Sequence, residues 1–468
     1  MRAFFICLYA FVSCLATAQE DWLYSTNRLF ENETIKEATP IVNSKTGEFA
    51  IFYKIKKGFI AELYNNEKQL LHTFSFNNLP SEDLVGYVFE GLEYTLFFAN
   101  ASMKKISCVK VDFNLGTSQL IDDVAIDLKG ENPIQFVKNE LGLHLLTIKK
   151  KSSTLKLYTF NLNGTFKESS YDFSDKTFER DNGITYNLYS FLFIVHKTNA
   201  FEFIDNNLPC SLDQAVASTK IFSTQDTIIL TINLTDKHTY VISLDLKNEV
   251  SGFNKIENVH FSKNNSANTH SSFLIDEVLI DSYISNEKLV INFIDLTNNT
   301  IIKEYVISED DSIHFKNSPI ILEGGDFDGY RELEKTSQFI RKVIHSKMAI
   351  SAYKNNNNYV VTLGSYEPRP SNLSMITGGV LGGITGAIIM SMFDSYTNSK
   401  SIRVLSLLDE NFNHVQGEIP KNGFDKIHAF KENKKLNTLE AQTIFKYKNH
   451  FIWGGFDRTS QAYNFFKF

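Results

Sequence analysis

Short apolar runs that alternate with polar turns dominate the sequence, and they come in pairs. Three of the pairs are 94–98 with 106–113, 188–195 with 200–204, and 278–284 with 289–294. Such runs, separated by Asn, Asp, Gly and Lys, are typical of β-strands joined by hairpin turns. The pairs recur about every 45 to 55 residues, which is the length of one four-stranded propeller blade. The pattern therefore predicts an all-β fold, a β-propeller of about seven or eight blades.

The end of the chain supports an alternative fold. The last residues are Phe465, Phe466, Lys467 and Phe468, and outer-membrane β-barrels commonly finish with an aromatic-terminated strand. Against this alternative, runs such as 227–232 are almost continuously apolar, whereas a lipid-facing barrel strand alternates over about ten residues. The propeller is the preferred prediction, and the barrel is the alternative.

One uncharged, glycine-rich stretch, residues 373–393, interrupts the pattern between the predicted strands 359–363 and 402–408. Glycines that recur every four residues lie on one face of a helix, and the bulky residues between them form a ridge beside that face. The sequence therefore predicts an apolar helical insertion that contacts a membrane or a partner. The residues expected to make this contact are Ile376, Gly378, Val380, Gly382, Ile384, Gly386 and Ile388.

Three interpretations of the insertion stay open. About twenty residues are enough to cross a bilayer, although threonines and glycines lower the hydrophobicity of this stretch. The segment is therefore a candidate for membrane contact. The second interpretation is an insertion that packs on the surface of its own protein, and the third is self-association through the glycine face.

The N-terminus has the pattern of a signal peptide. Met1 and Arg2 precede an apolar run at 3–15, and Ala18 ends an Ala-Thr-Ala site. We expect residues 1–18 to be removed and the protein to reach the periplasm, the outer-membrane surface or the exterior. A competing lipoprotein cleavage site would instead leave Cys14, with a lipid attached, as the new N-terminal residue. With its blade-like repeats, the chain resembles secreted bacterial β-propeller proteins at the level of architecture, a resemblance that implies export and carries no residue roles.

Residues 19–468 contain no Pro/Ser-rich linker, so a single domain is predicted. A net charge of −7 and a pI near 5.9 disfavour a nucleic-acid partner. After processing, Cys108 and Cys210 remain, as one disulfide or as two buried thiols. Short helical connectors are expected at 211–218, 331–343 and 439–447.

The sequence contains no nucleophile elbow, no His-Glu-x-x-His and no phosphate-binding glycine loop. Asp326 and Asp328 lie among glycines and are weak candidate calcium ligands, although a plain turn rich in Gly and Asp is the preferred interpretation. No cofactor is expected.

These observations predict a non-enzymatic binding or scaffold protein of the cell envelope or the exterior, with an unidentified protein or glycan ligand. The alternative is a secreted propeller hydrolase that acts on glycans or peptides, because propeller hydrolases assemble their carboxylates from distant blades. Converging carboxylates in a deep pocket would favour this alternative.

Overall fold

The computed structural model describes residues 24–25, 34–77, 79–196, 199–261, 268–323, 329–367, 386–398, 400–434 and 438–468. This part of the chain is mostly β-strand, as the sequence predicts. The predicted signal peptide, residues 1–18, lies outside it.

The strands of the N-terminal half are given first. They are β1 (Tyr24–Ser25), β2 (Glu37–Val42), β3 (Phe49–Lys54), β4 (Gly58–Tyr64), β5 (Leu70–Asn77), β6 (Asp83–Glu90), β7 (Glu93–Ala99), β8 (Ile106–Asp112), β9 (Thr117–Ile121), β10 (Glu131–Asn139), β11 (Gly142–Lys149), β12 (Thr154–Phe160), β13 (Phe166–Asp172), β14 (Phe178–Glu179), β15 (Thr185–Tyr186), β16 (Phe201–Ile204), β17 (Thr219–Ser223) and β18 (Thr227–Ile232).

The remaining strands follow in chain order. They are β19 (His238–Asp245), β20 (Val250–Glu257), β21 (Asn268–Ile275), β22 (Val278–Ser285), β23 (Lys288–Asp295), β24 (Thr300–Ser308), β25 (Ile320–Glu323), β26 (Tyr330–Leu333), β27 (Lys347–Asn355), β28 (Asn358–Glu367), β29 (Lys400–Leu408), β30 (Glu440–Tyr447), β31 (His450–Asp457) and β32 (Ala462–Lys467). The helices are α1 (Leu212–Ala215), α2 (Thr336–Ile344), α3 (Gly386–Asn398), α4 (Gly423–Lys434) and a π-helix (Ser190–Val195).

Consecutive strands form small open sheets. Sheet 1 is β2–β5, sheet 2 is β6–β9, sheet 3 is β10–β13 and sheet 5 is β21–β24, each in chain order. Sheet 4 contains β16–β20, with β16 parallel to β17. Sheet 6 has the order β26-β25-β29-β28-β27, and sheet 7 has the order β1-β32-β31-β30. None of the described sheets closes into a barrel, so the alternative fold finds no support among them.

Sheets 1 to 5 repeat one pattern of burial. Middle strands such as β7 and β11 are almost wholly buried, whereas final strands such as β13 are largely polar. A middle strand in a stack of sheets is covered on both faces, which requires a continuous apolar run instead of an alternating one. This explains why the sequence shows near-continuous apolar pairs separated by polar segments.

One compact unit, Asn78–Asn422, contains sheets 2 to 6. Neighbouring sheets in this unit share hydrophobic cores in chain order, sheet 2 with sheet 3, sheet 3 with sheet 4, and sheet 4 with sheets 5 and 6. Ring contacts mark two of these shared cores, Phe97 with Phe160 at 4.8 Å and Phe222 with Phe273 at 5.3 Å between ring centroids. Leu157 and Ile221 belong to the core that sheets 3 and 4 share.

The other unit combines parts of Met1–Asn77 and Gly423–Phe468. Sheets 1 and 7 share its aromatic core, in which the Phe49 ring lies 4.9 Å from Tyr64 and the Tyr53 ring lies 5.1 Å from Tyr463. The prediction of one domain over residues 19–468 stays a prediction.

Two local predictions were wrong. Residues 188–195, predicted as a strand, contain the π-helix Ser190–Val195. Residues 439–447, predicted as a helix, form β30. The helices expected near 211–218 and 331–343 are present as α1 and α2.

Candidate contact site

The structure describes only the last part of the predicted insertion. Residues 376, 378, 380, 382 and 384 of the predicted contact set lie outside the described residues. Gly386 is the first residue of α3, and Ile388 lies in its first turn, where only the backbone is described. Among the described helices, none combines the length and the apolar character that crossing a membrane requires.

The second half of α3 is covered by the protein itself. Ile389, Met390, Met392 and Phe393 are all buried, and Phe393 is only 1% exposed. Residues at this spacing lie on one face of a helix, so α3 presents an apolar face to its own unit. For residues 389–393, the structure therefore agrees with the interpretation of an insertion that packs on its own protein.

A short polar anchor holds α3 on α1. The Ser395 hydroxyl donates a hydrogen bond to Asp213 Oδ2 at 2.6 Å and lies 3.1 Å from Ser211 Oγ. Asp213 is in the first turn of α1, and Ser211 is its N-cap, which accepts a hydrogen bond from the Gln214 backbone N–H at 3.2 Å. Capping by Ser211 therefore fixes the carboxylate that Ser395 binds.

The anchor lies beside the strands that carry the insertion. Helix α1 contacts β27 and β28 of sheet 6 as well as α3. The insertion leaves the sheet after β28, at Glu367, and returns to it at β29, at Lys400. At the other end of the anchor, Asn422 Nδ2 donates a hydrogen bond to Tyr396 Oη at 2.8 Å. Helix α3 is thus tied, through α1, to sheet 6, from which the insertion departs.

Titratable side chains adjoin the anchor. Glu202 on β16 accepts a hydrogen bond from Gln214 Nε2 at 3.4 Å, and its partner in the strand register is Lys220 on β17. Burial, together with the nearby charge of Asp213, raises the pKa of Glu202 to about 8. Burial lowers the pKa of Lys220 to about 7 and raises that of the Cys210 thiol. A Glu202 that keeps its proton at neutral pH can act as a hydrogen-bond donor or as an acid.

The other predicted sites have different outcomes. Asp326 and Asp328 lie outside the described residues, and the described part contains no group of three His, Cys, Asp or Glu side chains placed to hold a metal. Cys108 and Cys210 are both free thiols. Cys108 lies in the core shared by sheets 2 and 3, whereas Cys210 packs against the core of sheets 4 to 6, so the disulfide that the sequence allowed is not formed.

The sequence did not predict the anchor between Ser395 and Asp213. The sequence signal was the pattern Ser211-Leu-Asp-Gln214, because Ser followed three residues later by Gln is a capping box at a helix start. Ser395 follows the apolar residues of α3, but its pairing with Asp213 spans 182 residues and has no local signature.

No protein-family model matches the chain, and no curated protein matches it. Solved structures resemble parts of it at low similarity. A variant of the apocarotenoid oxygenase of Synechocystis is 6% identical with a TM-score of 0.29, over 59% of this chain and 62% of that chain. A prolyl endopeptidase is 8% identical with a TM-score of 0.32, over 91% of this chain and 46% of that chain.

A luciferin-regenerating enzyme is 11% identical with a TM-score of 0.25, over 82% of this chain and 96% of that chain. This chain spans less than two thirds of the length of the apocarotenoid oxygenase structures, 62% in the variant above. At these values, none of the three proteins assigns an activity to this chain.

Proposed function

We propose that this chain is an exported, non-enzymatic binding or scaffold protein with a propeller-like arrangement of sheets, and that residues 373–393 are its contact element. The sheets of Asn78–Asn422, which pack in chain order as successive blades do, support the propeller-like arrangement. The arrangement supplies a rigid body, and the insertion departs from it between β28 and β29.

The anchoring of α3 is the observation that carries the contact proposal. The buried face and the Ser395–Asp213 hydrogen bond hold α3 in place. The apolar ridge predicted at 376–388 therefore leads directly into an anchored helix. An apolar segment must be covered by lipid, by a partner or by its own protein. We propose that lipid or a partner covers the ridge.

Cell fractionation tests this function. Residues 373–385 are replaced by a Gly/Ser segment of equal length, which leaves α3 and its anchor intact, and membranes are washed with carbonate. We expect the unaltered protein to stay with the membrane or with a partner complex and the replaced protein to be released. The same distribution for both proteins would contradict the contact role. A control replaces residues 262–267, a polar stretch between β20 and β21.

A second candidate function is hydrolysis, and the pair Glu202 and Asp213 favours it. The two carboxyl groups are joined through a chain of contacts that runs over Gln214, Ser211 and Ser395. One protonated acid beside a second carboxylate is the arrangement that glycoside hydrolysis uses.

Assays on a panel of glycans and peptides test this candidate. Hydrolysis by the unaltered protein that Glu202→Gln abolishes, and that the exposed control Glu410→Gln retains, would favour the enzyme over the binding protein. Absence of hydrolysis by the unaltered protein would remove this candidate.

A further inference from the structure

A cavity of about 430 Å³ lies between the C-terminal end of α2 and sheet 6. All of its lining residues belong to the compact unit Asn78–Asn422, and it is separate from the anchor of α3. Its volume falls in the range of roughly 300 to 1,000 Å³ that is usual for small-molecule sites.

The cationic wall of the cavity comes from the amphipathic pattern of α2. Phe339, Ile340 and Val343 are buried under the helix, which leaves Arg341 and Lys342 on its outer side in the last turn. Basic residues in a last turn also balance the helix dipole. Within the described part of the chain, neither side chain forms an ion pair or a hydrogen bond, and both line the cavity together with His345.

The floor of the cavity is set by the strand register of sheet 6. Ile402 on β29 pairs with Leu322 on β25 and with Ser365 on β28. Residues paired across neighbouring strands share a face of the sheet. The floor is therefore an apolar strip made by the partly exposed Leu322 and the edge of the almost wholly buried Ile402, with the buried Ser365 beside it.

Glu367 is the acidic residue among the lining side chains, and its charge is already balanced. It is ion-paired with Lys400 and accepts a hydrogen bond from Ser346 Oγ at 3.3 Å. Besides the hydrogen-bonded Lys400, the charge of Lys342 lowers the pKa of Glu367. The lining nevertheless holds three cations, Arg341, Lys342 and Lys400, against one anion, which is a surplus of positive charge in a chain whose net charge is −7. The cavity thus combines unbalanced cations with an apolar floor.

We propose that this cavity binds a small amphipathic anion, with an oxyanion head at Arg341 and Lys342 and a short apolar body on Leu322 and Ile402. A guanidinium presents paired N–H donors that match the two oxygens of a carboxylate or the oxygens of a phosphate. Removing an apolar chain from water over Leu322 and Ile402 adds affinity that a free inorganic anion cannot gain. The site does not depend on the contact role of residues 373–393.

Isothermal titration calorimetry in low-salt buffer tests the proposal with four probes: octanoate, octyl phosphate, octylammonium and acetate. We expect octanoate and octyl phosphate each to bind at one site per chain. Octylammonium has an eight-carbon chain and a positive charge, and acetate has the carboxylate without a long chain. Both should therefore bind at least about tenfold more weakly than octanoate.

Variants locate the site. The double variant Arg341→Ala/Lys342→Ala should weaken octanoate binding about tenfold or more, because charge-assisted hydrogen bonds are lost. Glu367→Gln should strengthen it, because Lys400 is released and a negative charge is removed. The control Arg331→Ala/Lys347→Ala removes two exposed cations that do not line the cavity, and it should bind octanoate as the unaltered protein does.

Three results would overturn the proposal. They are no binding of octanoate to the unaltered protein, equal binding of octylammonium, and unchanged octanoate binding by Arg341→Ala/Lys342→Ala. Circular dichroism establishes that each variant is folded, and Arg341 is exposed, so its truncation leaves the core intact.

Discussion

Glu202→Gln is the change that tests the half-buried acid beside the anchor. In the folded protein, burial raises the pKa of Glu202 to about 8, against an ordinary value of 4.5. Glutamine has the same shape and no charge, and its carbonyl oxygen can still accept the hydrogen bond from Gln214. The variant therefore removes the titratable carboxyl group and keeps the hydrogen bond with Gln214.

The sign of the effect follows from the direction of the shift. A group whose folded pKa is raised contributes stability that is fully present below pH 4.5, and this stability is lost as the pH rises through about 8. At about 1.4 kcal/mol for each tenfold change in the protonation equilibrium, the upper bound is about 5 kcal/mol. Glu202 is partly exposed, and solvent screening reduces the expected effect to about 1 to 3 kcal/mol.

Urea unfolding followed by far-UV circular dichroism, from acidic to mildly alkaline pH, measures this effect. Glu202→Gln and the unaltered protein should be equally stable near pH 4, and the variant should be more stable by about 1 to 3 kcal/mol near pH 8. Hydrogen exchange of the β16–β17 region should show the same difference locally.

Parallel stability profiles for the two proteins would refute the reasoning, because they would mean that Glu202 titrates as an exposed carboxyl does. The matched control is Glu410→Gln, which changes an exposed carboxylate in the turn after β29 and should leave the shape of the profile unaltered.

Three further predictions concern α3 and the insertion. Phe393→Ala should lower the free energy of unfolding by about 3 to 5 kcal/mol in urea unfolding, because it empties a fully buried site. Ser395→Ala should cost about 1 kcal/mol or more, since Asp213 loses a hydrogen-bond donor, and α3 should exchange its amide hydrogens faster. Gly382→Leu with Gly386→Leu should abolish close self-association in analytical ultracentrifugation, and an unchanged oligomeric state would exclude the glycine face as its cause.

The sheets could be predicted because their burial is regular. Central strands covered on both faces require apolar runs, and hairpin turns require Asn, Asp and Gly, so both signals are local in sequence. The pairs 278–284 and 289–294 lie within β22 and β23. Parallel pairing of β16 with β17 had no such signal, because α1 intervenes between the two strands.

The π-helix shows a limit of prediction from local sequence. The run at 188–195 is almost continuously apolar, with Ser190 as its polar residue, and periodicity alone cannot separate a buried strand from a buried helical turn. In the structure, the Asn187 side chain accepts a hydrogen bond from the Ser190 N–H at 2.8 Å, which starts a helical turn that buries Phe191 and Leu192.

Strand β30 was mispredicted for the opposite reason. Its first residues favour a helix by propensity, but Thr443 to Tyr447 pair with β31 and bury Ile444 and Phe445 against their unit. Tertiary packing overrides a weak local preference. The cavity beside α2 could not be predicted either, because its lining comes from four separate elements, α2, β25, β28 and β29, that meet only through the strand order of sheet 6.

Site-specific photocrosslinking in cells tests most directly whether residues 373–393 contact a lipid or a partner. A photoreactive residue replaces Val380 or Ile384 on the apolar ridge, and a control replaces Leu115, which is 69% exposed in the turn between β8 and β9. We predict that the ridge positions crosslink to lipid or to a second protein and that Leu115 does not. Crosslinks from Val380 and Ile384 only to the protein's own chain would contradict the contact role and make the insertion a self-packed segment.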